Sequence, residues 1–424
     1  MNRVSQHVTR RQFLRAASLA AGSAWLASCA PTQPTTAPSA GASKPAGQPT
    51  SAPAAASSAG GNPLKIGFIQ PYTGVYALLG ENTTNGMQLY LDSVNNSAGG
   101  RGITLIKEDE GTPDDALRKA RKLIEQDQVD LVVGIVSSAS ALAVRDLFHE
   151  TKNILIITTA GANDVTRGRR SPYIFRVSYN NYQIHFPMGE YCYKNVGRRF
   201  VVTGADYAAG RETVAAFKST FVAAGGELLG EIYPPFPNTD YAAYLTQIQQ
   251  LRPDGTFSFY AGSDAVNFVK QYAEFGLKDT ARLCGSGFMI EEDTLPAQGT
   301  AALRGLTALH WALTLDTPEN ARFVEAYRAK YNKDPDVYAL HGYDAGRVVV
   351  DALNAVQGDT TNKERLIEAI ASVKFASARG PFEFDPESHN PIQNVYVRET
   401  REVNGKLTNV VLETFPLVRD TITT

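Results

Sequence analysis

The sequence predicts an α/β protein of two lobes, each a largely parallel sheet with helices on its faces. Between residues 64 and 158, short apolar runs rich in Val and Ile alternate with longer stretches whose apolar side chains recur at helical spacing. That alternation is the mark of strand–helix–strand units wound around a parallel sheet. The same rhythm starts again near residue 183. The chain has 424 residues, room for two domains of ordinary size once its ends are removed.

Residues 64–69 form the first expected strand, and 81–95 an amphipathic helix with Met87, Leu91 and Val94 on one face. Residues 103–108 follow as a strand and 114–127 as a helix, where Ala116, Leu117, Ala120, Leu123 and Ile124 share a face. The run 129–135 is almost uninterruptedly apolar, as expected of a strand covered on both sides. A helix over 139–151 and a buried strand over 154–158 complete the first series. In the second series, helices are expected over 183–196, 211–224, 242–251 and 265–275, and strands over 199–203, 227–233, 256–260 and 281–285. Helices near 320–331, 337–356 and 362–373 precede extended segments at 382–384, 394–400 and 407–414, the last two joined by a turn at Asn404-Gly405.

The beginning of the chain reads as an address and a tether. Arg10-Arg11-Gln12-Phe13-Leu14 followed by an apolar run to Leu26 predicts an export signal peptide over 1–28, and the twin arginines point to the twin-arginine route. The run is too short and too rich in small residues to span a bilayer comfortably. Leu26-Ala27-Ser28-Cys29 resembles a bacterial lipobox, so Cys29 is the expected lipidation site and the membrane a partner through that anchor. Residues 30–62 are almost wholly Ala, Pro, Ser, Thr, Gly and Gln, and a stretch without large apolar side chains has no burial to offset its ordering entropy. A disordered spacer is therefore expected over 29–62 behind the lipidated cysteine.

Composition narrows the function. Hydrophobic residues make up 43% and charged residues 20%, the balance of a soluble globular body. The first 28 residues carry Arg3, Arg10, Arg11 and Arg15 and no acid; without them the charge is near -6, with no basic run to meet a nucleic acid. Cys29, Cys192 and Cys284 are too few for a disulfide framework; the last two are expected to be free buried thiols, with a disulfide between them in an oxidising compartment as the alternative. There is no Gly-x-Ser-x-Gly elbow, His-Glu-x-x-His pair or phosphate loop, and the six histidines are scattered, so neither catalysis, a metal nor a cofactor is expected.

Five segments carry a family resemblance. They are Gly67-Phe68-Ile69-Gln70-Pro71-Tyr72-Thr73-Gly74 with Gly80 and Gly86; Asn95-Asn96-Ser97-Ala98-Gly99-Gly100; Ala120-Arg121-Lys122-Leu123-Ile124 with Val129-Asp130; Val133-Gly134 with Ser137-Ser138; and Tyr343-Asp344-Ala345. In this order and spacing, from Leu64 to about Thr414, the chain resembles the branched-chain amino-acid binding proteins, the type I periplasmic solute-binding proteins of ABC transporters. The resemblance implies two flavodoxin-like lobes joined by three crossover strands. Lobe 1 would hold 64–182 and 308–377, and lobe 2 183–307 and 378–418. It also implies a small organic ligand, an amino acid or an aromatic carboxylate, closed between the lobes and delivered to ABC transporter membrane subunits, in a periplasmic or cell-surface location. A ligand-sensing lobe for a signalling partner would share this fold.

Ligands of open α/β sheets bind beyond the carboxyl ends of the strands. The loop before the helix at 139 ends in Ser137 and Ser138, where a helix N-terminus with its unpaired N–H groups suits a ligand carboxylate; the resemblance implies that use, against simple capping. It also implies Thr159 as a hydroxyl, and Ala160 and Gly161 as backbone donors, to the same ligand group. Tyr72 and Tyr76 are expected as aromatic walls from the first loop and Tyr207 from the second lobe. Asp264 is a candidate partner for a ligand ammonium. Phe288 stands where the amino-acid binders carry a glutamate. Either Asp264, Glu291 or Glu292 replaces that glutamate, or the ligand has no ammonium and is an apolar or aromatic carboxylate packed by Tyr72, Tyr207 and Phe288.

Overall fold

The computed structural model describes residues 61–420. The expected signal peptide, the lipidation site Cys29 and nearly all of the expected spacer lie outside the described residues. No described helix is long and apolar enough to cross a membrane.

The first series comprises β1 (Leu64–Gln70), α1 (Ala77–Ser93), β2 (Ser97–Ala98), β3 (Arg101–Asp109), α2 (Pro113–Glu125), β4 (Leu131–Gly134), α3 (Ser138–Thr151), β5 (Leu155–Ile157) and β6 (Ile174–Arg176). Its six strands lie in the order β2-β3-β1-β4-β5-β6, all parallel except the short β2 at the edge. The second series comprises α4 (Phe186–Asn195), β7 (Arg199–Gly204), α5 (Ala208–Ala223), β8 (Glu227–Ile232), α6 (Ala242–Leu251), β9 (Gly255–Phe259), α7 (Gly262–Glu274), α8 (Leu277–Thr280), β10 (Arg282–Ser286), α9 (Leu295–Gln298) and β11 (Leu306–Leu309). The chain then forms α10 (Pro318–Tyr331), α11 (Val337–Ala355), α12 (Lys363–Ala371), β12 (Lys374–Ser377), β13 (Gly380–Phe384), β14 (Pro391–Val403) and β15 (Lys406–Val418). The second sheet runs β12-β13-β14-β11-β10-β9-β7-β8, with β15 also paired to β14. From β8 to β11 it is parallel; the pairings made by β14 are antiparallel.

Local sequence explains the element ends. Thr112 and Asp115 form a reciprocal capping box with Pro113 in the first turn of α2, and Asp336 and Asn362 cap α11 and α12. Asn404 and Gly405 both take positive φ, 52° and 77°, as a tight turn between β14 and β15 requires.

Each sheet is covered on both faces. Ile66, Phe68, Leu131 and Val133 pack against Met87 and Leu91 of α1 and Val348, Val349 and Leu353 of α11. Val132, Leu155 and Ile157 face the other way, onto Ala120, Leu123, Val144 and Phe148 of α2 and α3. In the second sheet, Phe200, Val202 and Phe257 meet Met188, Phe217 and Phe221, whereas Val201 and Leu283 meet Leu245, Ile248, Phe268 and Val269. The helices α1 and α11 cross at backbone contact. A Cβ on Gly86 would stand 1.8 Å from the Ala339 carbonyl oxygen, and one on Gly342 1.9 Å from that of Thr83.

One expectation is corrected here. The resemblance implies residues 378–418 in lobe 2, but Phe382 and Phe384 pack with Phe175 in the core of the first sheet, Phe175 and Phe384 edge to face at 5.3 Å. Three aromatic rings in an apolar core outweigh the continuity of β13 with β14, so the change of lobe falls nearer the start of β14. The strands β6, β11 and β12 are further additions to the expected elements; each is only 3 or 4 residues long.

Candidate functional site

The ends of β4 and β5 build the first-lobe face of the site. Gly134 closes β4 with φ 152°, and a Cβ there would stand 2.1 Å from the Ile69 carbonyl oxygen, so only glycine fits. Ile135 follows with φ 73°, a costly conformation for a β-branched residue. That strained residue turns its carbonyl to accept the N–H groups of Thr159 and Ala160, at 3.2 and 3.0 Å, and so locks the two loops together. Glu110, at the end of β3, accepts the N–H groups of Val136 and Ser137 at 2.7 and 2.9 Å. Burial pushes its carboxyl up to about 7, with those two donors opposing the rise only in part.

Ser137 precedes α3, and its side chain makes no capping bond. Ser138 is buried at the first turn, 3.5 Å from Asn181 Nδ2. Glu110 thus engages the Ser137 N–H at the start of α3, while the Ser137 side chain leaves the N–H groups of the first turn uncapped, an arrangement that with the serine pair favours an anion. Ala160 is a correction: its N–H is engaged by Ile135, so it is not a free backbone donor. Gly161 accepts the N–H of Asn181 at 2.7 Å through its carbonyl. A Cβ there would stand 2.2 Å from Asn181 Oδ1 and 2.6 Å from the Tyr179 ring, so glycine is what lets these side chains approach.

Aromatic rings supply the walls. The hydroxyls of Tyr76 and Tyr207 hydrogen-bond at 2.7 Å across the lobes. Both rings stack on Phe236, at centroid distances of 5.6 and 4.7 Å. Phe288, on a single helical turn after β10, lies 4.8 Å from the Tyr179 ring and 5.7 Å from that of Tyr338. Tyr76, Tyr179, Phe288 and Tyr338 belong to one buried apolar cluster against which Tyr207 and Phe236 pack. Burial pushes the hydroxyls of Tyr76, Tyr179, Tyr207 and Tyr338 well above the usual phenol range.

Thr159 Oγ1 lies 3.1 Å from His341 Nδ1, and His341 Nε2 lies 2.7 Å from His310 Nε2. On the second lobe, Glu212 of α5 accepts from the Asn163 N–H and the Asn181 amide through one oxygen, at 2.9 and 2.8 Å. This ties α5 to the loops of the first lobe. Burial raises the Glu212 carboxyl above its ordinary value.

Two expected residues stand apart. The Tyr72 hydroxyl bonds Thr84 on α1 at 3.0 Å, and its N–H donates to Asp109; it is not among the rings of the shared cluster. Asp264 is buried and its carboxylate accepts the Asn238 N–H at 3.2 and 3.3 Å, holding the loop after Phe236. Glu291 is fully buried in an ion pair with Arg398 at 2.8 Å and also accepts the Val337 N–H. Sequence reasoning missed Tyr179, Asn181, Glu212, Phe236, His310, His341 and Tyr338. Of these, only the Tyr179-Asn180-Asn181 segment, polar and aromatic at the junction between the two series, carried a local signal.

Two α/β lobes whose strand-end loops face each other, lined by rings and uncapped N–H groups, define a small-molecule binding protein. The family model described as periplasmic binding protein matches residues 63–406, and the chain belongs to that family, as a type I ligand-binding component. Among curated relatives, the Leu/Ile/Val-binding protein homolog 6 of Brucella melitensis is 29% identical over 366 residues, 85% of this chain and 93% of the relative. Among solved structures, an ABC transporter substrate-binding protein from Sphaerobacter thermophilus is 39% identical with a TM-score of 0.80, covering 84% of this chain and 99% of that one. A solute-binding protein of an ABC transporter from R. palustris, in complex with benzoate, is 37% identical with a TM-score of 0.81, covering 85% and 98%. Another, from Rhodopseudomonas palustris BisB5 in complex with 3,4-dihydroxybenzoic acid, is 35% identical with a TM-score of 0.81, covering 84% and 98%.

Proposed function

We propose that this protein captures an aromatic carboxylate between its lobes and delivers it to the membrane subunits of an ABC importer, tethered to the membrane through a lipid on Cys29 after twin-arginine export. It performs no catalysis in this reading. The observation that carries it is the pairing of a helix start at Ser137 and Ser138, whose first turn has no side-chain cap from Ser137, with walls made of aromatic rings. The first suits a carboxylate; the second suits a flat apolar body. Of the carboxylates expected to meet an ammonium, Glu291 is engaged by Arg398 and Asp264 by the Asn238 backbone, and Glu292 accepts from the Asn409 amide through one oxygen. The benzoate and dihydroxybenzoate complexes of the R. palustris proteins support the same ligand class.

One observation favours a second reading, an apolar amino acid. Glu212 is bonded through a single carboxylate oxygen, which leaves the other as the acceptor this reading assigns to an ammonium.

Thermal shift and calorimetry with benzoate, 4-hydroxybenzoate and leucine separate the two, because a ligand of the folded state raises the melting temperature. Benzoates are expected to bind and leucine to leave the transition unmoved; the reverse result would transfer the assignment to amino acids. Ser138→Ala and Tyr207→Ala should each weaken benzoate binding by about tenfold or more while the protein stays folded, as expected from losing one hydrogen bond or one aromatic wall. Unchanged affinity in both would remove these loops from the site.

A further inference from the structure

A buried polar feature beside the site is a chain of three side chains, Thr159, His341 and His310. The imidazoles are fully buried, their planes differ by 9°, and their centroids are 5.0 Å apart. With the Nε2 atoms 2.7 Å apart, the rings meet edge to edge in a nearly common plane, the geometry of an N–H···N hydrogen bond. Burial holds both imidazoles well below their ordinary titration range, so both are neutral near neutral pH. Each then has one N–H and one bare nitrogen, and two arrangements satisfy the shared contact.

In the first, His341 donates from Nε2. His310 then carries its proton on Nδ1, and the bare His341 Nδ1 accepts the Thr159 hydroxyl proton. In the second, His310 donates from Nε2, His341 donates from Nδ1 to Thr159 Oγ1, and the threonine proton is left for another acceptor. His310 Nδ1 decides between them, because it is buried and has no hydrogen-bond partner. The first arrangement buries an unpaired N–H there; the second leaves an unpaired lone pair there and moves the spare donor to the Thr159 hydroxyl, open to a ligand oxygen. Orphaned buried N–H groups are rarer than under-satisfied acceptors.

We infer that His310 and His341 are positioning residues whose hydrogen-bonded relay fixes the Thr159 hydroxyl as a donor toward the ligand's carboxylate. This deepens the aromatic-carboxylate reading and rests on it. The relay makes that corner of the site a donor, matched to an acceptor oxygen and mismatched to an ammonium, which carries no lone pair. It thereby gives two histidines, 31 residues apart in sequence, a part in orienting the ligand's carboxylate without touching the ligand.

The test uses the whole folded protein with 15N-labelled histidine and long-range 1H–15N correlation spectra, which report tautomers directly. The expected result is the Nε2–H form for His310 and the less common Nδ1–H form for His341. Nε2–H on His341 would overturn the relay. In parallel, benzoate affinity is measured for Thr159→Val, Thr159→Ser and His310→Phe. Val is expected to cost about tenfold and Ser to keep affinity within about threefold, the span of one hydrogen bond. His310→Phe releases the tautomer of His341 and is expected to fall between them; if it does not fold, the spectra of the unmodified protein still decide. Equal affinity of the Val and Ser variants would overturn the proposal. Failure of the unmodified protein to bind benzoate would sink the ligand class instead, while the tautomers would still report on the relay.

Discussion

The two oxygens of Glu110 hold the Val136 and Ser137 backbone at the mouth of β4. Its carboxyl is raised to about 7 by burial, so the sign of its effect on stability follows from linkage. The folded state binds this proton more tightly than the unfolded chain does. The stabilisation is therefore complete below the ordinary carboxyl value of 4.5 and is lost as pH rises through about 7. The shift corresponds to at most on the order of 3 kcal/mol. Asp264 and Asp336, both raised to about 6 by burial, act in the same direction. Denaturant unfolding at pH 5 and pH 8 is expected to show lower stability at the higher pH, and Glu110→Gln should shrink the difference. An identical difference in the variant would mean that Glu110 does not titrate in this interval.

At the scale of elements, the crossing of α1 and α11 makes the sharpest demand. Gly86 and Gly342 let two backbones touch, and a single methyl would collide with a carbonyl oxygen at 1.8 or 1.9 Å. Backbone cannot rotate aside as a side chain can. Gly86→Ala is therefore expected to destabilise by about 3 kcal/mol or more, at the upper end of overpacking costs. The check is the urea midpoint; a shift under about 1 kcal/mol would show that the helices separate easily. Gly86 was legible in the sequence only as part of a recurring segment, not as a helix contact. The strands of the two sheets were mostly legible, because runs such as 129–135 are apolar on both faces and can only be central. β6 and β11 were not: at 3 and 4 residues they are too short to show a period, and pairing with neighbours distant in sequence defines them. The same division holds at the site. Ser137, Gly161 and Tyr207 lie in loops directly after strands, and Ser138 opens the helix that follows one, where position alone points to a ligand. His310 and His341 come together only through the fold, 31 residues apart, and nothing in the linear pattern joins them. Ala160 misled because a loop's sequence does not reveal which of its N–H groups the neighbouring loop already engages.

Across the whole molecule, several side-chain contacts join the two lobes. They include the Tyr76–Tyr207 hydroxyl pair, the Tyr76–Phe236 stack and the Glu212 carboxylate on Asn163. A ligand between the lobes shifts such an equilibrium by its preference for the closed form, so binding should protect interior groups of either lobe from any opening that first needs the ligand to leave. The two described cysteines make this measurable without added labels. Cys192 of α4 and Cys284 of β10 are both free and fully buried in the second lobe, and the described part of the first lobe contains no thiol. In a Cys29→Ser background, alkylation of these sulfurs is a clock for unfolding of one half of the molecule. Ligand at one hundred times its Kd should slow that clock about 100-fold if the half opens only after release. An unaltered rate would mean that the second lobe breathes on its own while the first still grips the cargo.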